Sequence, residues 1–486
     1  MKILFLEPLH VFWEFFRGLT ASHALIYLAA VARREFDVRV FDACMEPTDP
    51  WDKTAEYLEK ERPDVVAITG SITEFWPDTL NCANLVRRIL PKAKIITGGY
   101  TASILWEKAL KDGAADFVVI GEGELTLLEL LRALKENSTD FSGILGLAYM
   151  RGGVPVKNAP RPLLENLDDL PQPAYDLFPM ERYGMAPFGG KVGYTVTFAR
   201  GCVNMCVFCS ETQLWQHTWR GHGAQYMVDS LEVLSGKYGK KVFYVGDNDF
   251  LQDEERTKAF IELMRKKQLG VNLWIQTTCA NLIKNEKHLK ALREIGVYQV
   301  MLGIETSSPE GIKHLNKPQT MDTVNKAVAI ANTHDFIVMG MLMWGAPWDT
   351  KADLVNAFAY LTKNCDIIGP NCSTPWPGTP YYAECEKAGA IEVRDLSKYN
   401  MLNCVTRTAE LSAADSDAYY KSVVGKALIF NKKSLFNYFF SNKLLYRTYF
   451  MMFLKMGWSF ATGKPWHQKN YQRYQDFVSK RRNGMR

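Results

Sequence analysis

The 486-residue sequence has little of what would place a chain outside the cell, in a membrane or on a polyanion. Its ten cysteines are scattered and form no short disulfide framework. No run of about 18 uncharged apolar residues occurs. The nearest, 444–461, is interrupted by Arg447 and Lys455 and reads as a buried or interfacial helix. The opening residues Met1-Lys2-Ile3-Leu4-Phe5-Leu6-Glu7-Pro8 read as a strand rather than a secretory leader, so a reducing cytoplasm is expected. The net charge of +5 is modest for this length and the basic residues form no long block, so no nucleic-acid partner is expected. No general base stands out either. His217, His222 and His314 are candidates by residue type alone, and no catalytic residue is assigned.

What is present is an ordinary globular composition, 47% hydrophobic and 23% charged, on a chain long enough for two to four domains. Residues 1–140 alternate short apolar strands (2–6, 38–41, 65–69, 94–97, 117–120) with helical stretches (24–34, 52–61, 78–90, 105–111, 124–134). Continuous apolar strands between helices predict a parallel sheet covered on both faces. Ligands of such sheets sit beyond the carboxyl ends of the strands. Those ends are small-residue loops: Thr69-Gly70-Ser71-Ile72-Thr73, Thr97-Gly98-Gly99-Tyr100-Thr101 and Ile120-Gly121-Glu122-Gly123-Glu124. Prolines mark 141–190 as a linker, with a short strand or two near 145–150. A second alternation fills 191–385, with strands at 193–197, 242–245, 273–276, 299–303, 338–344 and 367–371. Six strand-helix pairs make a partial barrel, whose site belongs at the strands' carboxyl ends. Residues 386–486 are rich in helix formers and aromatics and read as a helical C-terminal region. The fold class is therefore α/β: a Rossmann-like domain, a partial (β/α)6 barrel and a helical tail.

The first strand of the second alternation runs into Ala199-Arg200-Gly201-Cys202-Val203-Asn204-Met205-Cys206-Val207-Phe208-Cys209-Ser210. Three cysteines this close can wrap one metal centre. They are one ligand short of a closed zinc site. A four-iron, four-sulfur cluster takes one thiolate per iron, so three thiolates leave one iron open. The alternative is three scattered free thiols.

The spacing Cys-three-Cys-two-Cys, with an aromatic before the last Cys, resembles the signature of the radical S-adenosylmethionine enzymes. That resemblance implies a 4Fe-4S cluster on Cys202, Cys206 and Cys209, whose open iron chelates the amino and carboxylate groups of S-adenosylmethionine. It implies further cofactor contacts: Phe208 near the adenine, and acceptors for the ammonium at Asp247 and Asp249 of Gly246-Asp247-Asn248-Asp249-Phe250, similar to an Asp-Asp-x-Phe segment. Gln276 ends the third strand facing cofactor or substrate. Glu305 lies in Gly303-Ile304-Glu305-Thr306-Ser307, which resembles a Gly-x-Glu-Ser segment, and the following Asn316-Lys317-Pro318 also matches the pattern. Gly345-Ala346-Pro347-Trp348-Asp349-Thr350 is read as a structural turn with Thr350 near a helix cap.

The loops of the first domain look like those of the cobalamin-binding domain that precedes many such barrels. The resemblance places cobalamin against Ser71, Thr73, Gly98, Gly99 and Glu122. One departure stands out. The family's Asp-x-His-x-x-Gly, whose His binds cobalt from below, is replaced by Glu7-Pro8-Leu9-His10-Val11-Phe12-Trp13. His10 is a candidate ligand without the carboxylate that would orient its ring. Trp215, Trp219-Arg220 and Thr374-Pro375-Trp376-Pro377-Gly378-Thr379-Pro380 are similar to the anaerobic magnesium-protoporphyrin ester cyclase subgroup. The activity implied is cobalamin-dependent radical methylation of an unactivated sp3 carbon, fed by a low-potential donor such as ferredoxin or flavodoxin. The substrate, small molecule or protein, is not disclosed. Two alternatives stay open: an oxidative cyclase, and a non-catalytic cobalamin sensor.

Overall fold

The computed structural model describes residues 1–9, 20–46, 50–183 and 194–429. His10 and the aromatic stretch expected to pack on the barrel mouth, 437–452, lie outside the described residues. The described residues form two compact units, 1–183 in the first and 194–429 in the second.

The first unit is built on a seven-stranded sheet of order β2-β1-β3-β4-β5-β6-β7. Its strands are β1 Lys2–Glu7, β2 Asp37–Asp42, β3 Val65–Thr69, β4 Lys94–Gly98, β5 Phe117–Val119, β6 Leu147–Arg151 and β7 Val154–Lys157. The first five pair in parallel, with Phe5 beside Val40 and Ala67. β3 is buried at every position, as expected for a strand covered by helices on both faces. Leu4, Leu6, Val66, Ile68 and Ile95 pack against Leu58, Leu85 and Val86 of helices Pro50–Glu61 and Trp76–Ile89. The stretch read as a linker adds β6 and β7 antiparallel on the sheet's edge, turned by Gly152 and Gly153 at positive φ. The unit therefore continues past residue 140. Its far end is tied back where the Tyr183 hydroxyl donates to Asp42 at 2.6 Å, both groups buried.

The second unit carries a parallel sheet of order β15-β14-β13-β12-β11-β8. These are β8 Tyr194–Val196, β11 Val242–Val245, β12 Asn272–Thr277, β13 Val297–Glu305, β14 Ile337–Trp344 and β15 Ile367–Cys372. A separate antiparallel pair, β9 Ala199–Gly201 with β10 Trp219–Gly221, was not foreseen in the sequence. Along β11, β12 and most of β14 burial alternates. Phe243, Val245, Leu273, Ile275, Val300, Leu302, Val338 and Leu342 are sealed, while Tyr244, Trp274, Gln276, Met339, Met341 and Met343 are half-buried. A Cβ on Gly340 would strike Leu361 of helix Lys351–Asn364, so the sealed set faces the helices and the other set faces the lumen of a half-barrel. The helices begin on side-chain caps at Asp253, Thr278, Ser308, Thr320, Thr350 and Thr379. Thr350 forms a capping box with Asp353, as the turn Gly345–Thr350 led one to expect. Beyond residue 386 the described chain is mostly irregular until helix Ala413–Ile429. Among the described residues no helix is long and apolar enough to cross a membrane.

Candidate active site

The cysteine loop leaves the sheet at β9 and is held at both ends. Gly201 adopts φ +86°, and a Cβ there would overlap the Thr218 carbonyl oxygen and lie 2.8 Å from Trp215 Cβ. Only glycine lets the returning strand β10 pass this closely. The loop's middle is staked to the segment after β13. The Val207 N–H donates to Leu315 O at 3.2 Å, and Asn316 Nδ2 donates to Met205 O at 2.9 Å. The Tyr381 N–H donates to Val207 O at 3.1 Å. Cys202 and Cys209 are half-buried, Cys206 is buried, and all three are free thiols. Burial pushes their pKa values up, Cys206 to about 11 and Cys209 to about 12. As thiols they are protonated at neutral pH, so binding iron must release protons.

As a donor set, three thiolates fit a four-iron cube with one iron left open, each thiolate binding a different iron.

Asp247 and Asp249, the acceptors expected for an ammonium, are both sealed in this structure. Asp247 is wholly buried. Its Oδ1 accepts from the N–H groups of Phe198 and Ala199 at 2.6 and 2.9 Å, and its Oδ2 from Arg256 at 3.1 Å. The same guanidinium donates to the carbonyls of Phe198 and His222. The pair therefore clasps the backbone that delivers the cysteine loop. Asp249 is also sealed, accepting from Thr277, Thr278 and Asn281 at 2.6, 3.0 and 2.7 Å. Burial raises its pKa against the pull of those donors. Both carboxylates brace the site, their oxygens engaged by groups of the fold itself. The residue between them, Asn248, is half-buried and donates to Glu211, which also accepts from Trp215 Nε1.

Glu305 sits at the carboxyl end of β13 beyond a register shift at Gly303. Its φ of +63° is rare for a residue with a side chain and costs of order 1–3 kcal/mol. Its Oε1 accepts from Lys317 Nζ at 2.8 Å, and the same ammonium donates to Gly303 O at 2.7 Å. Both side chains are nearly buried, at 13% and 11% exposure. Burial opposes the Lys317 charge, yet the Glu305 carboxylate outweighs it and leaves the pKa raised. Lys317 was matched in the sequence only as part of a pattern; nothing in the sequence signalled that it is a buried cation beside the cysteine loop. Gln276 accepts from the Tyr244 hydroxyl at 3.0 Å. Phe208, like Trp348 and Trp376, is half-buried against a core cluster that includes Tyr381 and Tyr399.

In the first unit Ser71, Thr73, Gly98 and Gly99 converge at the ends of β3 and β4. Thr73 and Thr101 hydroxyls lie 3.0 Å apart, and Ser71 Oγ is 3.2 Å from Thr69 Oγ1. Gly99 has φ +97°, and a Cβ there would overlap the Ser71 side chain and backbone. The missing Cβ at Gly99 is what lets the Ser71 backbone pack directly on the turn after β4. Glu122 instead turns inward and accepts from the Leu164 N–H at 2.7 Å.

Comparison with known proteins fits this geometry. Residues 16–131 match the B12 binding domain family, and residues 196–361 match the radical SAM superfamily. An uncharacterized methyltransferase of Pyrococcus horikoshii is 31% identical over 388 residues, covering 79% of this chain and 82% of that protein. The chain belongs to the cobalamin-binding radical SAM family. Its cofactors are those of the two domains: a 4Fe-4S cluster, S-adenosylmethionine and cobalamin. The anaerobic magnesium-protoporphyrin IX monomethyl ester cyclase of Rubrivivax gelatinosus is 26% identical over 464 residues, 94% of this radical SAM chain and 82% of its own. Radical S-adenosylmethionine methyltransferase TsrM from Kitasatospora setae, solved with cobalamin and a [4Fe-4S] cluster, shares the fold. Its TM-score is 0.65 at 18% identity, over 86% of this chain and 80% of that one.

Proposed function

We infer that the chain is a cobalamin-dependent radical SAM methyltransferase acting on an unactivated sp3 carbon. In this reading Cys202, Cys206 and Cys209 hold three irons of the cluster. Glu305 and Lys317 address the amino-acid end of S-adenosylmethionine, the carboxylate taking its ammonium and the ammonium its carboxylate. Phe208 packs on the adenine, and Gln276 faces the cofactor from β12. Ser71, Thr73, Gly98 and Gly99 cradle the nucleotide tail of cobalamin. When bound, the cluster and S-adenosylmethionine supply a 5′-deoxyadenosyl radical, and cobalamin supplies the methyl group. The chain's own contribution is to position the reactants and keep water out.

The observation that carries the reading is the Glu305–Lys317 pair: a strained, nearly buried, charge-matched couple beside a staked three-cysteine loop. A low-potential one-electron donor of the ferredoxin or flavodoxin kind is the proposed reductant, and the cytoplasm the proposed location. Oxidative ring closure is the second reading, favoured by the long match to the ester cyclase. Anaerobic turnover with methyl-labelled S-adenosylmethionine separates the two. Label enters the product of a methyltransferase and stays out of the product of a cyclase. A chain that makes no 5′-deoxyadenosine under strong reductant would sink both.

A further inference from the structure

The lumen face of the half-barrel is unusual in composition. β14 reads Ile337-Val338-Met339-Gly340-Met341-Leu342-Met343-Trp344, and its alternate residues Met339, Met341 and Met343 face the lumen half-buried. Met301 of β13 lies beside Met339 in register. On the other flank, Gly369 of β15 stands opposite Met341. A Cβ at Gly369 would overlap the Met341 sulfur and lie 2.9 Å from the Met339 methyl, so the missing side chain is what lets both thioethers lie across the sheet. Further round, Tyr244 and Trp274 place their rings 4.4 Å apart.

No lumen-facing residue of β11 to β15 below Glu305 carries a charge. The polar groups are four amides, Asn272, Gln276, Gln299 and Asn371, the last beside Met343 in register. Gln276 is engaged by Tyr244. Gln299, wholly buried at the floor, offers its amide to the Met339 sulfur at 3.7 Å and leaves its Oε1 without a partner. A closed barrel fills its interior with bulky branched side chains. Here Tyr298, Ile337 and Ile367 fill only the floor, with Val242, Trp274 and Met339 packed on them, and above that floor thioethers and glycines leave half-buried apolar surface. Such surface marks a ligand groove, and methionine adapts its shape to what it grips.

We propose that this thioether- and ring-lined lumen binds an uncharged, ring-bearing hydrocarbon portion of the substrate, with Met339, Met341, Met343, Tyr244 and Trp274 as its contacts. An amino acid or nucleotide would bring charges that find no partner on this wall. Calling the occupant a substrate rests on the methyltransferase reading; the binding itself does not.

The test is a fluorescence titration of the full chain, before cofactors are loaded, with the neutral probe N-phenyl-1-naphthylamine. Saturable one-site binding is expected. The near-isosteric variant Met339→Gln/Met341→Gln should weaken it about tenfold or more. Val355→Gln, on a helix exterior at 50% exposure, should leave it within about twofold. Absence of saturable binding, or equal affinity in the lumen variant, overturns the proposal. Photolabelling of the unmutated chain with benzophenone gives a readout independent of how the variants fold. Adducts should fall on β13 and β14 methionines and be displaced by the probe; adducts confined to other segments overturn the proposal. Failure to form 5′-deoxyadenosine would sink the methyltransferase reading and leave both measurements standing.

Discussion

Gly201→Ala is the sharpest perturbation of the cysteine loop. The wild-type φ of +86° costs a residue with a Cβ roughly 1–2 kcal/mol. The added methyl also overlaps the Thr218 carbonyl oxygen and presses on Trp215 Cβ, which β10 and its pairing hold in place. Overpacking of this kind adds about 1–3 kcal/mol. The sum, about 2–5 kcal/mol, is a large share of a domain's net stability. It falls on the residue before Cys202. The β9–β10 pair should open locally before the barrel unfolds, because the six-stranded sheet does not depend on it. The expected result is a barrel that still melts cooperatively but binds well under half the wild-type iron after anaerobic reconstitution. Iron and sulfide counts, the electron paramagnetic resonance of the reduced cluster and calorimetry of the same sample check this. A Gly201→Ala chain with full iron and an unchanged melting point would refute the reasoning.

Two further outcomes are expected. Asp349, which accepts from the Gly345 and Ala346 N–H groups at 2.8 and 2.9 Å, has its pKa raised by burial to about 7. A folded carboxyl that holds its proton more tightly than the unfolded one stabilises at low pH, and that stability is lost as pH rises from about 4 to 7. On the order of 4 kcal/mol is at stake. Melting curves of Asp349→Asn should therefore lack a downward drift that the wild type shows across that window; identical pH profiles would contradict the assignment. Glu305→Gln leaves Lys317 buried without its counter-charge and should cost about 3–5 kcal/mol, whereas Glu305→Leu/Lys317→Met should recover most of that stability. Equilibrium binding of S-adenosylmethionine should fall in both variants, and unaltered binding in the double variant would remove the pair from the cofactor site.

Much of the architecture was legible in one dimension, because hydrophobic period and small-residue loops report directly on backbone geometry. The strands and helices of both alternations fall within a few residues of their expected positions. The exceptions have physical causes. β9 and β10 are three residues each, too short for any periodicity. The β6–β7 hairpin lies among prolines that punctuate a linker equally well.

Side-chain destination was less legible. Asp247 and Asn248 are adjacent polar residues at a strand end, and sequence alone ranks the acid as the better partner for a cation. Alternation of the backbone turns Asp247 inward onto Arg256, nine residues on, and leaves Asn248 half-exposed toward Glu211. Glu122 follows the same rule, captured by a backbone N–H 42 residues away.

The cysteine spacing and the order of strands and helices by themselves limited the metal centre and the sheet type, since three thiolates in eight residues admit few metal centres and alternating apolar strands admit few sheets; the chemistry followed from the resemblance of that spacing to the radical SAM signature. Only the tertiary structure decided which acids the fold itself engages, that Lys317 reaches Glu305 across a bulge, and that four methionines from two strands share one lumen. Those are distances between residues separated in the chain, and they exist only once the sheet has formed.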